Sequence, residues 1–512
     1  LDQIEALPKS TLREFIAIVV SAHRAGEALP MARVQSLLSS TPETPDERLI
    51  VAFFAFMVVI LSMRSLNRKA IPDLIAHAKY LMMQAPADVS ELSDERLAWM
   101  LDRDGHLVVL DCYLMVQDQF AGRLNAVRDS LPGLTEQIDG LEDSALKVDA
   151  LVAVAGAELA VGNMAQARMQ AQRSVEMLER VSEPWAASTA RLILADCYVL
   201  QGEYDKALEL MQLTTEVTYS ALDVETRSSW AAIQVILESV SGDEDPGAHL
   251  ELAQRQQEVP WEGYNSELSI LAACELARVQ NDPHAILRAS SSPWAERILS
   301  TRRGALTYRA HALLDLKQIE EAEELIDDLV QWRGTRWQEY WGSLDWLNAR
   351  LAEANGDSKT AAWHYEAACE NRDHPLPLAL TLADYGRFLL NPETGARADS
   401  RDLGIARVNE AIELLEEIGA HGYLPRVRAI LEEQGLEAAD GNNERLLGTL
   451  TERERQIADH LARGRSNNQI AESLVISPAT VRSHVSNVLF KLGMSSRGEV
   501  AKMMRDSASH ND

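Results

Sequence analysis

The sequence predicts an all-α chain, a stack of helical hairpins ending in a compact four-helix unit. Three observations predict it. Ala, Leu and Glu run through all 512 residues, while period-two alternation of Val, Ile and Thr is scarce. From about residue 105 to 372, helix-breaking turns recur roughly every forty residues, which is the mark of a repeat array. In the last sixty residues or so, four helix-start signals crowd together, as short helices that stop and turn sharply require.

Composition narrows the function classes. The net charge of −29 is uneven, because residues 441–512 hold ten Lys/Arg against eight Asp/Glu, leaving −31 on residues 1–440. A body that acidic repels nucleic acid, so any DNA contact falls to the tail. Cys112, Cys197, Cys274 and Cys369 lie far apart in helical stretches, with no CxxC or CxxH spacing. They read as four buried thiols in a reducing cytoplasm, with no metal and no cofactor. His23, His77, His249, His284 and His364 are scattered and form no HExxH or His/Asp/Ser arrangement, so no enzyme is expected.

Residues 1–104 form an N-terminal helical cap region outside the repeat. Within it, Thr44-Pro45-Asp46-Glu47 marks a helix start. The uncharged run Leu49 to Met63 follows. As a helix it spans about 22 Å, short of a bilayer core of roughly 30 Å, so it reads as a buried helix. The chain starts with Leu, which leaves open whether one residue or a whole domain precedes it.

Residues 105–434 form the repeat domain. Its turns fall at Asp118, Gly162, Gly202, Gly242, Asn281, Lys317 and Gly356. Five residues after a turn stands Ala167, Ala207, Ala322 or Ala361, and seven before it Ala155, Ala195, Ala310 or Ala349. Small residues at matched places let two helix axes approach closely. This pattern resembles the tetratricopeptide repeat, with Gly202-Glu203-Tyr204-Asp205-Lys206-Ala207 as its best match. Such units bury one face against their neighbours and stack into a solenoid with a concave groove. Trp332, Trp337, Tyr340, Trp341 and Trp346 fall within fifteen residues. Trp337 and Trp341 share a helix face with Tyr340 alongside. These rings suit packing between repeats, or stacking on a sugar, an aromatic or a peptide; Trp337, Tyr340, Trp341 and Trp346 are the candidate ligand residues. Residues 374–434 read as a further hairpin and a terminal helix, split by the polar loop Asn391 to Ser400, and the Gly- and Asn-rich residues 435–449 as a flexible linker.

The tail, residues 450–506, is the most informative part. Thr451-x-x-Glu454, Ser466-x-x-Gln469 and Ser496-x-x-Glu499 are capping boxes, and Ser477 precedes a Pro at a first helical position. On the helix from Pro478, Val481, Val485, Val488, Leu489 and Leu492 share one face. Ala479, Ser483, Ser486 and Phe490 fall opposite, with Arg482 and Asn487 at the flanks. Ile470, Ala471 and Leu474 on the preceding helix pack against the valines. A helix that hides valines and presents Arg, Ser and Asn suits base edges and phosphates.

Leu450-Thr451-x-Arg453-Glu454, Gly464, Ser466-Asn467-x-x-Ile470-Ala471, Leu474-x-x-Ser477, Thr480-Val481-Arg482-x-His484, Asn487, Lys491-Leu492 and Arg497 fall in order. This segment resembles the LuxR/GerE-type helix-turn-helix domain of bacterial regulators over Leu450 to about Met504. The resemblance implies that the helix from Pro478 enters the major groove, with Arg482, Ser483 and Ser486 facing bases. It places Ser466, Asn467, Thr480, Asn487 and Lys491 near phosphates. Ser483 and Ser486 stand where long side chains are common, which leaves fewer long readers. The resemblance also implies a homodimer on promoter DNA, paired through a last helix from about Ser496 to Met504.

A tetratricopeptide-like solenoid joined to such a tail resembles the ATP-dependent regulators of the maltose-regulon-activator type, whose solenoid senses an inducer. Their nucleotide-binding module has no counterpart here, since Gly356-Asp357-Ser358-Lys359-Thr360 lacks the Gly-rich loop of GxxxxGK[ST]. The favoured reading is a cytoplasmic, sequence-specific transcriptional regulator. A small-molecule inducer or protein partner in the solenoid governs its pairing on double-stranded DNA, with no membrane role. The alternatives are the C-terminal part of a larger ATP-dependent activator and a protein-interaction scaffold.

Overall fold

The computed structural model describes residues 31–63, 70–178, 180–181, 184–218, 224–242, 247–254, 266–291, 299–330, 342–370, 374–391, 398–436, 450–463, 467–474 and 477–491, with residues 13, 16, 18, 372, 465 and 500. Its regular elements are all helical among these residues. The chain divides into two compact units, Leu1–Pro377 and Leu378–Asp512.

The first unit opens with α1 (Met31–Leu38), α2 (Pro45–Met63) and α3 (Ile71–Gln84). α2 starts where the sequence marks it. Thr44 Oγ1 accepts the Glu47 amide at 3.2 Å and Glu47 Oε2 accepts the amides of Thr44 and Glu43. Its apolar run is buried, with Phe54, Val58 and Val59 inside the core. No described helix is long and apolar enough to cross a membrane. One hydrophobic cluster runs on from these helices through α4 (Arg103–Phe120) and α5 (Leu124–Asp139) into the first repeats.

The repeats follow as helix pairs: α6 (Ala145–Val161) with α7 (Met164–Leu178), α8 (Pro184–Leu200) with α9 (Tyr204–Thr218), and α10 (Val224–Ser241) with α11 (Gly247–Gln254). Then come α12 (Ser266–Val279) with α13 (Pro283–Ser290), α14 (Leu299–Asp315) with α15 (Ile319–Val330), and α16 (Leu344–Ala354) with α17 (Ser358–Glu370). The turns between partners are left-handed at Gly162, Gly202, Gly242, Asn281, Lys317 and Gly356, the six residues the period singles out. A Schellman bond closes five of them in one form, from the amide after the left-handed residue to the carbonyl five back: Asn163 to Glu158, Glu203 to Tyr198, Asp282 to Ala277, Gln318 to Leu313 and Asp357 to Ala352, all at 2.8–2.9 Å. The earliest turn differs from the expectation. Gly122, not Asp118, takes the left-handed conformation at φ 74°, and the Asp118 carbonyl accepts the closing bond from Arg123. That moves the first turn forty residues before Gly162, onto the period. All eight alanines of the pattern are fully buried, on helices that pack as pairs.

Cys112, Cys197 and Cys274 are buried free thiols whose ionisation burial suppresses. Cys369 is only half-buried and forms no disulfide among the described residues.

In the second unit, α18 (Pro375–Leu390, whose first turn belongs to the first unit) packs on α19 (Ala398–Glu417), and α20 (Leu424–Glu432) follows. α18 and α19 meet backbone to backbone at Gly386 and Gly404. A Cβ on Gly386 would stand 2.8 Å from the Gly404 carbonyl oxygen and 2.4 Å from Val408 Cγ2. Then come α21 (Glu452–Ala462), α22 (Asn467–Leu474) and α23 (Pro478–Lys491).

Candidate nucleic-acid interface

The site is built on a small apolar core. Leu450, Ile457, Ala458, Leu461, Ile470, Ala471, Val481, Val488 and Val500 are buried together, with Leu474, Val485 and Leu489 packed on them. The valines of α23 therefore face α21 and α22, as their spacing requires. By helical register, positions 483 and 486 lie on the arc away from this core. Val500 is spent on packing within the unit.

Polar bonds fix the angles between the helices. Thr451 Oγ1 and the Glu454 carboxylate form the expected capping box at the start of α21. Glu454 Oε2 also accepts from Lys491 Nζ at 2.7 Å, tying the start of α21 to the last residue of α23. The Lys491 ammonium first, then the Thr451 amide, hold the Glu454 carboxyl down to about 2. Arg453 Nη2 donates to the Leu474 carbonyl at 2.8 Å, satisfying an orphan carbonyl at the end of α22. Arg465 Nη1 lies 3.0 Å from both Ser473 Oγ and His460 Nδ1. Burial first, and the neighbouring Arg465 second, push the His460 imidazole below its ordinary value.

The predicted contact residues divide clearly. Thr480 is exposed at the start of α23, its amide donating to Ser477 Oγ at 3.1 Å and its hydroxyl 2.8 Å from the same oxygen. Lys491 is exposed at the other end, paired with Glu454. Asn467 opens α22 half-buried, and its Oδ1 accepts no hydrogen bond among the described residues. Arg482, Ser483, Ser486 and Asn487 lie on α23, but their side chains fall outside the described residues, as does Ser466. Sequence reasoning missed the fastening roles of Arg453, Glu454 and Arg465. Arg453 and Glu454 stand in the Leu450–Glu454 motif, but nothing in the spacing names a backbone carbonyl or a lysine 37 positions on as partner.

Of the ligand candidates, Trp346 is buried at 4% exposure, its ring centroid 4.1 Å from that of His311. Arg350 Nη1 donates to His311 Nδ1 at 2.9 Å. Trp337, Tyr340 and Trp341 lie outside the described residues. Elsewhere in the repeats, the fully buried Glu275 accepts from Arg278 Nη2 at 2.6 Å and from the Tyr308 hydroxyl, and the Arg278 guanidinium sits 4.7 Å over the Tyr308 ring. His374 Nδ1 lies 3.3 Å from the Leu200 carbonyl oxygen, 174 residues away in sequence.

Residues 448–504 match the family described as bacterial regulatory proteins, luxR family, and residues 147–219 match a tetratricopeptide repeat. The transcriptional regulatory protein TdiR of Thauera aromatica is 38% identical over 217 residues, covering 41% of this chain and 82% of TdiR. The chain belongs to the LuxR family of DNA-binding transcriptional regulators. The spore germination protein GerE of Bacillus subtilis is 40% identical over 57 residues, 11% of this chain and 77% of GerE. The transcriptional regulatory protein UhpA of Escherichia coli is 47% identical over 57 residues, 11% of this chain, which spans only 29% of UhpA. These relatives are regulators, and no enzyme family is indicated. A Rap protein complexed with competence and sporulation factor aligns over 82% of this chain and all of its own, at a TM-score of 0.37 and 11% identity. That likeness is too slight to bear on function.

Proposed function

We propose that the chain is a sequence-specific transcriptional regulator whose tail, residues 450–506, docks α23 in the major groove. Its repeat region, residues 105–434, senses a ligand or partner protein and controls pairing or DNA access of the tail. One observation carries this reading. The valines of α23 are consumed by the core, and helical spacing leaves the opposite face of the helix for DNA. Arg482, Ser483 and Ser486 read bases, and Ser466, Asn467, Thr480, Asn487 and Lys491 lie along phosphates. The exposed, capped start of α23 supports Thr480 in this role, because helix N-termini offer N–H groups to phosphate oxygens.

The test is a gel-shift titration of the full chain on promoter fragments. Arg482→Ala costs about 1–3 kcal/mol at the preferred site, roughly 5- to 150-fold, and relaxes sequence preference. Unchanged affinity and unchanged preference would overturn the docking. The scaffold alternative has its own signature, in which a partner protein binds the chain while promoter fragments do not.

A further inference from the structure

A groove outside the tail has the chemistry of a recognition site. It crosses α3, α4 and the end of α5 as far as the turn at Gly140 and Leu141, with a volume of about 660 Å³. Its floor is apolar, formed by Leu107, Val108 and Leu141. Two large side chains stand over it almost in water, Tyr80 at 62% exposure and Met83 at 57%. The face of α3 opposite them, Ile71, Ile75, Ala78 and Met82, is already spent on the core. Three carboxylates ring the groove. Asp111 is taken by Lys79 Nζ at 2.6 Å. Asp104 and Glu136, both exposed, have no ion-pair partner among the described residues.

We infer that this groove binds a short peptide segment of a partner protein, bearing one Lys or Arg flanked by apolar side chains. The inference gives a partner chemistry to the sensing half of the function proposed above. The occupant follows from charge and shape. Lys79 and Asp111 cancel, so Asp104 and Glu136 leave two negative charges beside an apolar floor. A cation landing between them gains attraction that an acidic or neutral segment does not. The groove lies open along the helices, which suits an extended or single-turn segment. Tyr80 offers a rigid amphipathic wall, and Met83 a flexible one that adapts to different apolar side chains.

The experiment is fluorescence anisotropy on the full chain with three labelled synthetic peptides of about ten residues, some 33 Å when extended. The first carries a central Arg flanked by Leu and Met, the second replaces that Arg by Glu, and the third replaces the apolar residues by Ser. The first binds and the other two bind at least tenfold more weakly. Asp104→Asn with Glu136→Gln weakens the first peptide roughly tenfold and flattens its salt dependence. Tyr80→Ser with Met83→Ser weakens it without changing the salt dependence. These positions are exposed, so the variants keep the fold, which circular dichroism confirms. No binding up to about 1 mM, equal binding of the Glu peptide, or an unmoved affinity in the Asp104/Glu136 variant would sink the inference. The gel shift is run on the same preparations. Loss of DNA binding with peptide binding intact fails the tail reading alone, and the converse fails the groove alone.

Discussion

Replacing Glu454 by Gln tests what holds the tail's helices together. In the folded chain one carboxylate oxygen accepts the Thr451 amide at 2.8 Å, the Thr451 hydroxyl at 2.8 Å and Lys491 Nζ at 2.7 Å. The carboxyl is held at about 2, against an ordinary 4.5. A folded-state value below the unfolded one stabilises the fold above the unfolded value and loses that contribution as pH falls through the folded one. The window is therefore pH 4.5 down to about 2. The distance between those two values sets a ceiling of roughly 3 kcal/mol. The Glu454 side chain is only 6% exposed, but its lysine partner is 36% exposed and screened by water, which brings the expected cost of Glu454→Gln to roughly 1–2 kcal/mol. The assay is amide hydrogen exchange of α21 and α23 in the full chain, at pH 6 and again near pH 2.5. Protection falls by that amount at the higher pH, and the gap from wild type shrinks at the lower. Equal protection at both pH values, or a gap that stays constant, would refute the assignment of the low carboxyl value to this bond set.

The remaining expectations concern the repeats and the second unit. Gly386→Ala forces a Cβ to 2.4 Å from Val408 Cγ2 and 2.8 Å from the Gly404 carbonyl oxygen, costing about 1–3 kcal/mol, read as a lowered denaturation midpoint. Lys317 sits at φ 58°, where a side chain is disfavoured, so Lys317→Gly raises the stability of its repeat by roughly 0.5–1 kcal/mol in urea titration. Glu275→Leu removes the buried carboxylate that accepts from Arg278 Nη2 and the Tyr308 hydroxyl and costs about 3–5 kcal/mol, visible as a lower melting temperature.

Much of this architecture was legible because it rests on local rules. Left-handed turns need glycine or a tolerant polar residue, so Gly162, Gly202, Gly242 and Gly356 announce the hairpins, and the period carries Asn281 and Lys317 with them. Close helix crossings need small residues, so the eight alanines announce the pairing. Asp118 misled because a helix's last turn is polar too, while the left-handed residue comes four positions later. The helix start at Thr44 and the capping box at Thr451 read directly, since the partners lie within one turn.

What the sequence by itself determined is the all-α class, the hairpin period, the apolar face of α23 and the family to which its tail belongs. Each is a short-range pattern, repeated along the chain or confined to one helix. The tertiary structure alone decided which distant groups meet. It placed Lys491 on Glu454, Arg453 on the Leu474 carbonyl, Tyr308 on Glu275, and Asp104 with Glu136 beside Tyr80 and Met83. The physical reason is that a spacing of three or four residues fixes neighbours on one helix. Contacts between helices depend on crossing angle and offset, which emerge only when the whole core packs.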